Sequence, residues 1–363
     1  MTSRAAIRAE AEALYAAIAA TGAVPVEADT LLPAETLLDL YGEDIRARAY
    51  VTFDPVRGEM MLRPDFTVPV VQAHMAHGAE PARYCYMGEV FRQQVHLGPR
   101  QSAYVQVGYE VFDGTDPLAA DAEVFALFAR LLAPLGLRAA TGDIGILRAA
   151  VMGLTTTQAR KAALLRHLWR PRRFRALLDR FGGRSPVPPS RAQLLATLAQ
   201  GEDPSAGITH TGLRSKTEIA ARMHALREDA AAPPIPAQEL ALLEQVLSVA
   251  DTCPAALARL DALATQMPAL SPAVARLGAR MTALRAKGVA VDRLDFEASY
   301  GRTSMEYYDG FVFGFYAADA TLPPVATGGR YDALTAVLGQ GRSIPAVGGV
   351  IRPGVVAGLR GGV

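Results

Sequence analysis

The amino-acid sequence predicts an α+β protein, in which a mixed, mainly antiparallel sheet is flanked by helices and interrupted by a helical insert. Residues 83–113 and the segment from Val289 onward show the alternating or continuous apolar patterns that are typical of strands. Between them, residues 147–287 are rich in Ala, Leu and Arg at helical spacing and show no convincing strand. We therefore expect residues 1–146 and 288–363 to form one sheet domain, with residues 147–287 as its insert.

The first part of the chain predicts helices and short strands in alternation. The expected elements are a helix over 3–20, a strand over 24–26, a helix over 31–42, strands over 49–53 and 59–63, and a helix over 68–77. Pro55 and Gly58 favour a tight turn between the paired strands. Thr67 carries a hydroxyl that can cap the helix after it.

Residues 83–113 predict two strands joined by a polar loop, and the second strand alternates cleanly. Its apolar face is formed by Val105, Val107, Tyr109 and Val111. The opposite face carries Tyr104, Gln106, Gly108, Glu110 and Phe112. This face brings an amide, a bare backbone and a carboxylate into one line between aromatic rings, which suits the floor of a pocket. The alternative is an ordinary strand face in contact with water.

The later part of the chain adds further strands and a glycine-rich motif. The expected elements are a helix from about 117 to 133, a strand over 137–146, and strands over 289–296 and 311–316. The sequence GGRYD at Gly328–Asp332 predicts a turn that leads into a helix. Such a turn could bind a phosphate, but two glycines before a helix more often form only a tight turn.

Composition and charge exclude several classes of protein. The formal net charge of +1 over 363 residues argues against nucleic acid or anionic lipid as partners. The two cysteines, Cys85 and Cys253, lack metal-ligand spacing, and their scarcity favours a reducing compartment. Charged Arg8, Glu10 and Glu12 interrupt the N-terminal segment, and no apolar run is long enough to span a membrane. We expect a soluble cytoplasmic protein.

Two polar clusters have weaker functional interpretations. His74 and His77 lie one turn apart on the predicted helix, but no third ligand accompanies them, so we expect no metal and no cofactor. The arginines between Arg166 and Arg175 could face a phosphate-bearing partner, although such a run more often forms a solvated helix face.

Five motifs follow one another in a characteristic order. They are LRPDFT at 62–67, FRQQ at 91–94, the strand with Gln106 and Glu110, MEYYDGFVF at 305–313, and GGRYD at 328–332. In this order they resemble the catalytic core of class II aminoacyl-tRNA synthetases, and specifically histidyl-tRNA synthetase. The resemblance runs from about Pro25 to the C-terminus and weakens through the insert. It implies the class II synthetase fold.

The resemblance also implies roles for individual residues. The histidine-binding residues that it implies are Asp65, Thr67, Gln106, Glu110, Tyr307 and Tyr308, with Arg92 and Arg330 as residual contacts for a phosphate or another anion. Histidine offers an ammonium group and a ring N–H as donors. Carboxylates, an amide oxygen and a phenol can accept both in a partly dry pocket.

The sequence departs from the synthetases where ATP would be activated. Gln93, Gln94 and Val95 replace polar or charged residues of the family motif, Thr303 stands where the family has a catalytic arginine, and Val355 stands where it has an adenine-stacking arginine. Phe66 replaces a glycine beside Asp65, which we expect to narrow or reshape the pocket. We also expect no anticodon-binding domain.

A retained histidine pocket with lost ATP contacts resembles the regulatory subunits of ATP phosphoribosyltransferase, a synthetase-like family. The resemblance implies a protein without catalytic residues that is required for the first step of histidine biosynthesis and for feedback inhibition by histidine. Its implied partners are the short-form catalytic subunit, L-histidine as effector, and a second copy of itself within a larger hetero-oligomer. Neither tRNA nor a membrane is expected as a partner.

Two other functions stay open from the sequence. Arg92, GGRYD and Arg302 would support a ligase that adenylates histidine or a related amino acid. The basic insert would support a module that binds RNA, with an affinity that depends strongly on salt.

Overall fold

The computed structural model describes residues 2–35, 49–94, 101–204, 206, 212, 214–302 and 307–361. The α-helices in these residues are α1 (Arg4–Ala19), α2 (Thr67–His77), α3 (Pro117–Leu132), α4 (Ile144–Met152), α5 (Gln158–Arg166), α6 (Pro171–Phe181), α7 (Pro189–Ala199), α8 (Lys216–Ala231), α9 (Ala237–Leu247), α10 (Cys253–Gln266), α11 (Ser271–Ala286), α12 (Asp332–Leu338) and α13 (Pro353–Arg360). The strands are β1 (Val24–Pro25), β2 (Leu31–Pro33), β3 (Val51–Asp54), β4 (Gly58–Leu62), β5 (Ala82–Phe91), β6 (Ala103–Phe112), β7 (Arg138–Asp143), β8 (Ala250–Thr252), β9 (Asp295–Glu297), β10 (Phe311–Tyr316), β11 (Ala326–Arg330) and β12 (Ala346–Ile351).

A nine-stranded sheet forms the centre of the molecule, in the order β1-β5-β6-β12-β11-β10-β7-β9-β8. Only the pairs β1–β5 and β7–β9 in this sheet are parallel. A second sheet has the order β2-β4-β3 and is antiparallel. The predicted α+β class, with a mixed and mainly antiparallel sheet and surrounding helices, is confirmed.

The predicted hairpin becomes β5 and β6, which pair along their whole length from Ala82–Phe112 to Phe91–Ala103. Helix α1 packs against both strands and buries Leu14 and Ile18 in the shared core. The opposite face of β6 is also covered, because Gln106 and Glu110 are each only 1% exposed. The interpretation of that face as a solvated surface is therefore wrong.

Several local predictions differ from the structure. Leu31–Pro33 forms strand β2 because it pairs with Met60 to Leu62 of β4, whereas the sequence pattern indicated a helix over 31–42. Ala34 and Glu35 are helical, as predicted, and the rest of that predicted helix, from residue 36, lies outside the described residues. Gly328 and Gly329 lie within strand β11, not in a turn, and they pair with Gly349 and Gly348 of β12.

The start of helix α2 also differs from the prediction. Thr67 is the first helical residue, and the residue at the cap position is Phe66. The hydroxyl of Thr67 is used elsewhere, as a donor to Glu110 at 3.0 Å. The side chain of Asp65 takes the capping role and accepts from the backbone N–H of Val68 at 3.4 Å.

The segment predicted as an insert contributes to the sheet itself. Its short strand β8 pairs with β9 at the sheet edge, so the prediction that it contains no strand is wrong. The three residues of β8 are too few for an alternating pattern to be recognised. Helix α11, at the end of this segment, packs along α3 of the core.

A buried ion network joins α11 to the core. Arg280 of α11 donates to Asp121 of α3 at 2.7 Å and to Asp143 at the end of β7 at 2.7 Å. Arg330 at the end of β11 binds the other oxygen of Asp121 at 2.7 Å. Arg280, Asp121 and Asp143 are all at most 3% exposed. These charges stabilise the fold only as a set, because each desolvated carboxylate depends on its guanidinium partner.

We expect Arg280→Met to destabilise the protein strongly. The substitution keeps apolar bulk but leaves Asp121 and Asp143 with fewer positive partners in a dry environment, which costs about 3–5 kcal/mol in comparable buried pairs. Urea denaturation followed by circular dichroism measures the change. The control is Arg285→Met on the same helix, where an exposed pair with Asp292 is lost. Equal midpoints for the two variants would contradict the assignment.

Candidate amino-acid-binding site

A cleft of about 510 Å³ opens over the middle of the large sheet. Its lining includes backbone and side chains from β6, β10, β11 and β12, together with the segments around Asp65, Tyr300 and Tyr308. Five of the six residues predicted to bind histidine line it, namely Asp65, Thr67, Gln106, Tyr307 and Tyr308. The sixth, Glu110, lies directly beneath, on the same face of β6 as Gln106.

Gln106 on the cleft floor has unsatisfied hydrogen-bonding capacity. Its side-chain oxygen and nitrogen are both buried, and neither has a hydrogen-bond partner within the described residues. A buried amide without partners is costly, so proteins rarely retain one unless a water or a ligand satisfies it. Because Gln106 lines the cleft, a ligand there can both donate to its oxygen and accept from its nitrogen.

Glu110 is the centre of a buried hydrogen-bond cluster. It accepts from Thr67 of α2 at 3.0 Å, from Tyr86 of β5 at 3.0 Å and from Tyr331 after β11 at 2.6 Å. Burial raises the pKa of Glu110 to about 7, although the three hydroxyl donors act in the opposite direction. The carboxyl group therefore changes charge close to neutral pH, and its direct contact with a ligand stays a prediction.

The neighbouring strand leaves space for this carboxyl group. Gly348 of β12 pairs with Glu110, and a Cβ atom at Gly348 would lie 1.5 Å from a carboxyl oxygen. Gly108 of β6 pairs with Tyr86 of β5 and leaves space for the tyrosine ring in the same way. A Cβ atom at Gly108 would lie 2.0 Å from that ring. Two glycines thus allow a bulky polar cluster to fit inside a closely packed sheet.

The tyrosine pair forms one wall of the cleft. The ring centroids of Tyr307 and Tyr308 are 4.9 Å apart, and the ring of Tyr307 also meets that of Tyr331 at 6.0 Å. The hydroxyl of Tyr307 donates to Thr67 at 3.4 Å, which joins this wall to the Glu110 cluster. Burial raises the pKa of Tyr308, so its phenol stays protonated at neutral pH.

Phe66 does not enter the lining of the cleft. Its ring stacks on Tyr86 at 4.5 Å with an angle of 12° between the planes, and Arg63 lies over its other side at 4.2 Å. The space above Gly88 accommodates this ring, since a Cβ there would lie 2.7 Å from it. Phe66 therefore acts on the site through Tyr86, whose hydroxyl it helps to hold against Glu110.

The arginines named by sequence have three different positions. Arg92 lines the cleft, and its Nε donates to the carbonyl of Pro64 at 3.0 Å. Arg330 is held by Asp121 and by Asp332, at 3.0 Å from the latter, which argues against the anion contact predicted for it. Arg302 is directed into the helical segment, where it donates to the carbonyl of Leu168 at 2.8 Å. Thr303 and Val95 lie outside the described residues.

The structure adds site residues that the sequence did not reveal. Tyr331 belongs to the GGRYD motif, of which only the glycines and the arginine suggest a role from sequence. Tyr86 follows an ordinary strand pattern, and only its packing over Gly108 shows its role. Arg352 lines the cleft as a second cation beside Arg92. It follows directly after β12, three residues before the position at which an arginine was expected and Val355 was found.

The described residues contain no metal centre. Within them, no three His, Cys, Asp or Glu side chains come together in a way that could hold a metal ion. Both cysteines are buried free thiols. None of the helices in this part of the chain combines the length and apolar character that crossing a membrane requires.

The arrangement of fold and cleft is that of a known group of proteins. A family model described as Histidyl-tRNA synthetase matches residues 3–237 and 222–353. The histidyl-tRNA synthetase from Nostoc sp. PCC 7120 aligns with a TM-score of 0.65 and 15% identity, over 99% of this chain and 73% of that one. The ATP phosphoribosyltransferase regulatory subunit/histidyl-tRNA synthetase from Bacillus halodurans C aligns with a TM-score of 0.68 and 20% identity, over 98% and 79%. The fold is therefore that of the class II histidyl-tRNA synthetases.

Sequence similarity narrows this class. The ATP phosphoribosyltransferase regulatory subunit of Brucella anthropi is 34% identical over 343 residues, which cover 89% of each chain. The protein of the same name from Brucella canis is 33% identical over the same length and coverage. The chain belongs to the family of ATP phosphoribosyltransferase regulatory subunits.

The raised pKa of Glu110 predicts that the stability of the ligand-free protein depends on pH. Between pH 4.5 and about 7 the folded protein holds a proton that the unfolded chain releases, so the free energy of unfolding falls as pH rises through this range. The loss corresponds to roughly 3 kcal/mol. Glu110→Gln cannot ionise, and we expect it to gain stability relative to the wild type as pH rises from 5 to 8.

Chemical denaturation at several pH values without histidine measures this difference. Glu89→Gln, at an exposed position of β5, shows how much pH dependence the loss of a surface carboxylate produces. Parallel stability curves for the wild type and Glu110→Gln would contradict the raised pKa.

Proposed function

We propose that this chain is a non-catalytic regulatory subunit that binds L-histidine in the cleft and acts on the short-form catalytic subunit of ATP phosphoribosyltransferase. In this role it is required for the first step of histidine biosynthesis and for feedback inhibition by histidine. The observation that carries the proposal is the cleft itself, in which the amide of Gln106, without a hydrogen-bond partner among the described residues, lies beside the carboxyl cluster of Glu110. Free buried thiols at Cys85 and Cys253 support a reducing, cytoplasmic location.

The chemistry of the cleft suits histidine. The ammonium group can be bound by Asp65, which lines the cleft and is 3% exposed. An imidazole N–H can donate to the phenols or to the amide oxygen of Gln106, and the rings of Tyr307 and Tyr308 offer a flat apolar wall. Because the phenols and the amide are uncharged, they favour a neutral imidazole over an additional cation.

The positions of the arginines support a protein without amino-acid activation. Activation of an amino acid transfers the adenylyl group of ATP to its carboxylate and releases pyrophosphate, and the negative charge on these phosphates requires cations fixed beside them. Arg330 is bound by Asp121 and Asp332, and Arg302 is bound to the carbonyl of Leu168, so neither is aimed at the cleft. Thr303 and Val355 stand where the resemblance places two arginines of the synthetases, so two further cations are missing.

Regulation requires histidine to distinguish two states of the assembly. Equal affinity for the active and inhibited forms would leave their populations unchanged, however tightly histidine bound.

We propose that two copies of this chain pair within the larger hetero-oligomer. In support, β3 is an edge strand of the second sheet among the described residues, and its Val51 and Phe53 are 44% and 72% exposed; exposed apolar side chains on such a strand favour association.

The direct test is reconstitution with a short-form catalytic subunit. We expect the two chains to co-purify, the catalytic chain to be inactive alone, and histidine to inhibit only the complex. A catalytic chain that is fully active alone and unaffected by this protein would contradict the proposal. Because Arg92 and Arg352 both line the cleft, histidine-dependent exchange of pyrophosphate into ATP is measured in parallel. A clear exchange rate would favour the ligase instead.

We expect Glu110→Ala to weaken histidine binding by about 1.5–3 kcal/mol, the usual value of a hydrogen bond to a charged group. The loss has two sources, because the variant removes a charged acceptor and leaves the hydroxyls of Thr67 and Tyr331 without their partner. Calorimetric titration of the isolated chain measures the affinity. Glu89→Ala, an exposed carboxylate on the adjacent strand, is the matched control. Unchanged affinity in Glu110→Ala would show that histidine binds elsewhere.

A further inference from the structure

The start of helix α6 lacks the groups that normally neutralise a helix N-terminus. Arg170 at the cap position forms no side-chain capping bond, and the first turn contains no acidic residue. Within the described residues, the backbone N–H groups of Arg172 and Arg173 form no hydrogen bond. Such N–H groups carry partial positive charge, so this end of α6 favours an anion.

The side chains of this turn add further positive charge. Arg172 and Arg173 are exposed, and neither guanidinium forms an ion pair or a hydrogen bond with a described residue. Arg175 donates to Glu244 at 2.7 Å, but Arg184 donates to the same carboxyl oxygen at 2.7 Å, so that carboxylate is already paired. Because cations in a first turn oppose the helix dipole, this arrangement costs stability until an anion binds.

Arg302 approaches the same turn from the interior of the protein. Its Nε donates to the carbonyl of Leu168 at 2.8 Å, and its guanidinium lies over the ring of Phe174 in α6, 4.8 Å from the centroid. The residue is only 7% exposed, and its Nη2 has no hydrogen-bond partner among the described residues. Burial lowers the pKa of Arg302 to about 10, and the positive charge of Arg175 acts in the same direction, so the group is still a cation at neutral pH.

A second donor without a partner lies in the connection between α5 and α6. Trp169 directly follows Leu168, and its indole N–H is buried without a hydrogen-bond partner among the described residues. Buried donors are nearly always satisfied by protein, by water or by a ligand. The guanidinium of Arg302 and the indole of Trp169 therefore both favour an acceptor at the start of α6, independently of the helix dipole.

We infer that the first turn of α6, with Arg172, Arg173 and Arg302, binds the phosphate group of a small molecule. The free N–H groups of a helix start suit the oxygens of a phosphate, and guanidinium groups add charge-assisted contacts. Phosphate is favoured over a carboxylate because it carries about 1.5–2 negative charges at neutral pH, which better offsets three cations. The site lies in the helical segment outside the cleft, so the inference goes beyond the proposed function and does not depend on it.

The test uses Trp169, the only tryptophan of the chain, as a reporter beside the site. The full chain is titrated with inorganic phosphate, pyrophosphate and ADP at constant ionic strength, with chloride and adenosine as controls. We expect a saturable change in tryptophan emission with a phosphate-bearing ligand and none with either control, and calorimetry measures the affinity. The ligand that binds most tightly shows whether the phosphate is free or belongs to a nucleotide.

Variants of the first turn locate the binding. The double variant Arg172→Gln, Arg173→Gln should bind the same ligand at least about tenfold more weakly, as for one charge-assisted contact, and Arg302→Gln should weaken it as well. Arg259→Gln is the matched control, because Arg259 is exposed and lies on α10. Arg173→Glu places a carboxylate in the first turn. We expect this variant to unfold at a higher temperature than the wild type without phosphate, and to lose the stabilisation that phosphate gives the wild type.

Three results would overturn the inference. They are a wild type without a saturable response to any of the three ligands, equal affinities in the wild type and the double variant, and binding of poly(U) RNA without binding of the small ligands. If Arg302→Gln does not fold, the double variant and Arg173→Glu decide. Histidine is titrated against the same samples, so a failure here is distinguishable from a failure of the proposed function.

Discussion

The buried carboxyl group of Glu110 is the point on which the site depends. Its three hydroxyl partners come from a helix, a strand and the segment after another strand, which are 43, 24 and 221 residues away in the chain. Satisfying one desolvated group therefore fixes the relative positions of all three elements. The carboxyl group fits there only because residue 348 of β12 is a glycine, which has no Cβ atom to occupy the same space. The same interaction thus organises the fold locally and shapes the cleft above it.

The arginines show how a synthetase fold can serve a different role. Arg280 and Arg330 stabilise the packing of α3, α11 and the sheet through Asp121, and Arg302 donates to the carbonyl of Leu168. Arg92 and Arg352 alone among these five line the cleft. We propose that this division suits a receptor for an amino acid better than a site for nucleotide chemistry.

Much of the fold could be predicted where a pattern extends over many residues. The alternation in β6 and the helical spacing in α1 produce long elements that local sequence describes well. Strands β2 and β8 were missed because each has three residues and exists through its pairing with a neighbour. The glycines at 328 and 329 suggest a turn, but they lie in strand β11. At Gly328 the ring of Phe313 and the backbone of β12 lie so close that only a residue without a side chain fits.

The sequence by itself determined the class of protein and indicated six of the residues that line the cleft, since motif order and residue type are local properties. It indicated Gln106 and Glu110 together because residues on one face of a strand are separated by even intervals. Only the tertiary structure decided that Glu110 lies beneath the cleft, that Tyr331 binds it, and that Arg352 points in while Arg330 and Arg302 do not. The physical reason is that the direction of a long polar side chain is set by the hydrogen-bonding groups within its reach. Folding brings those groups together from distant parts of the chain.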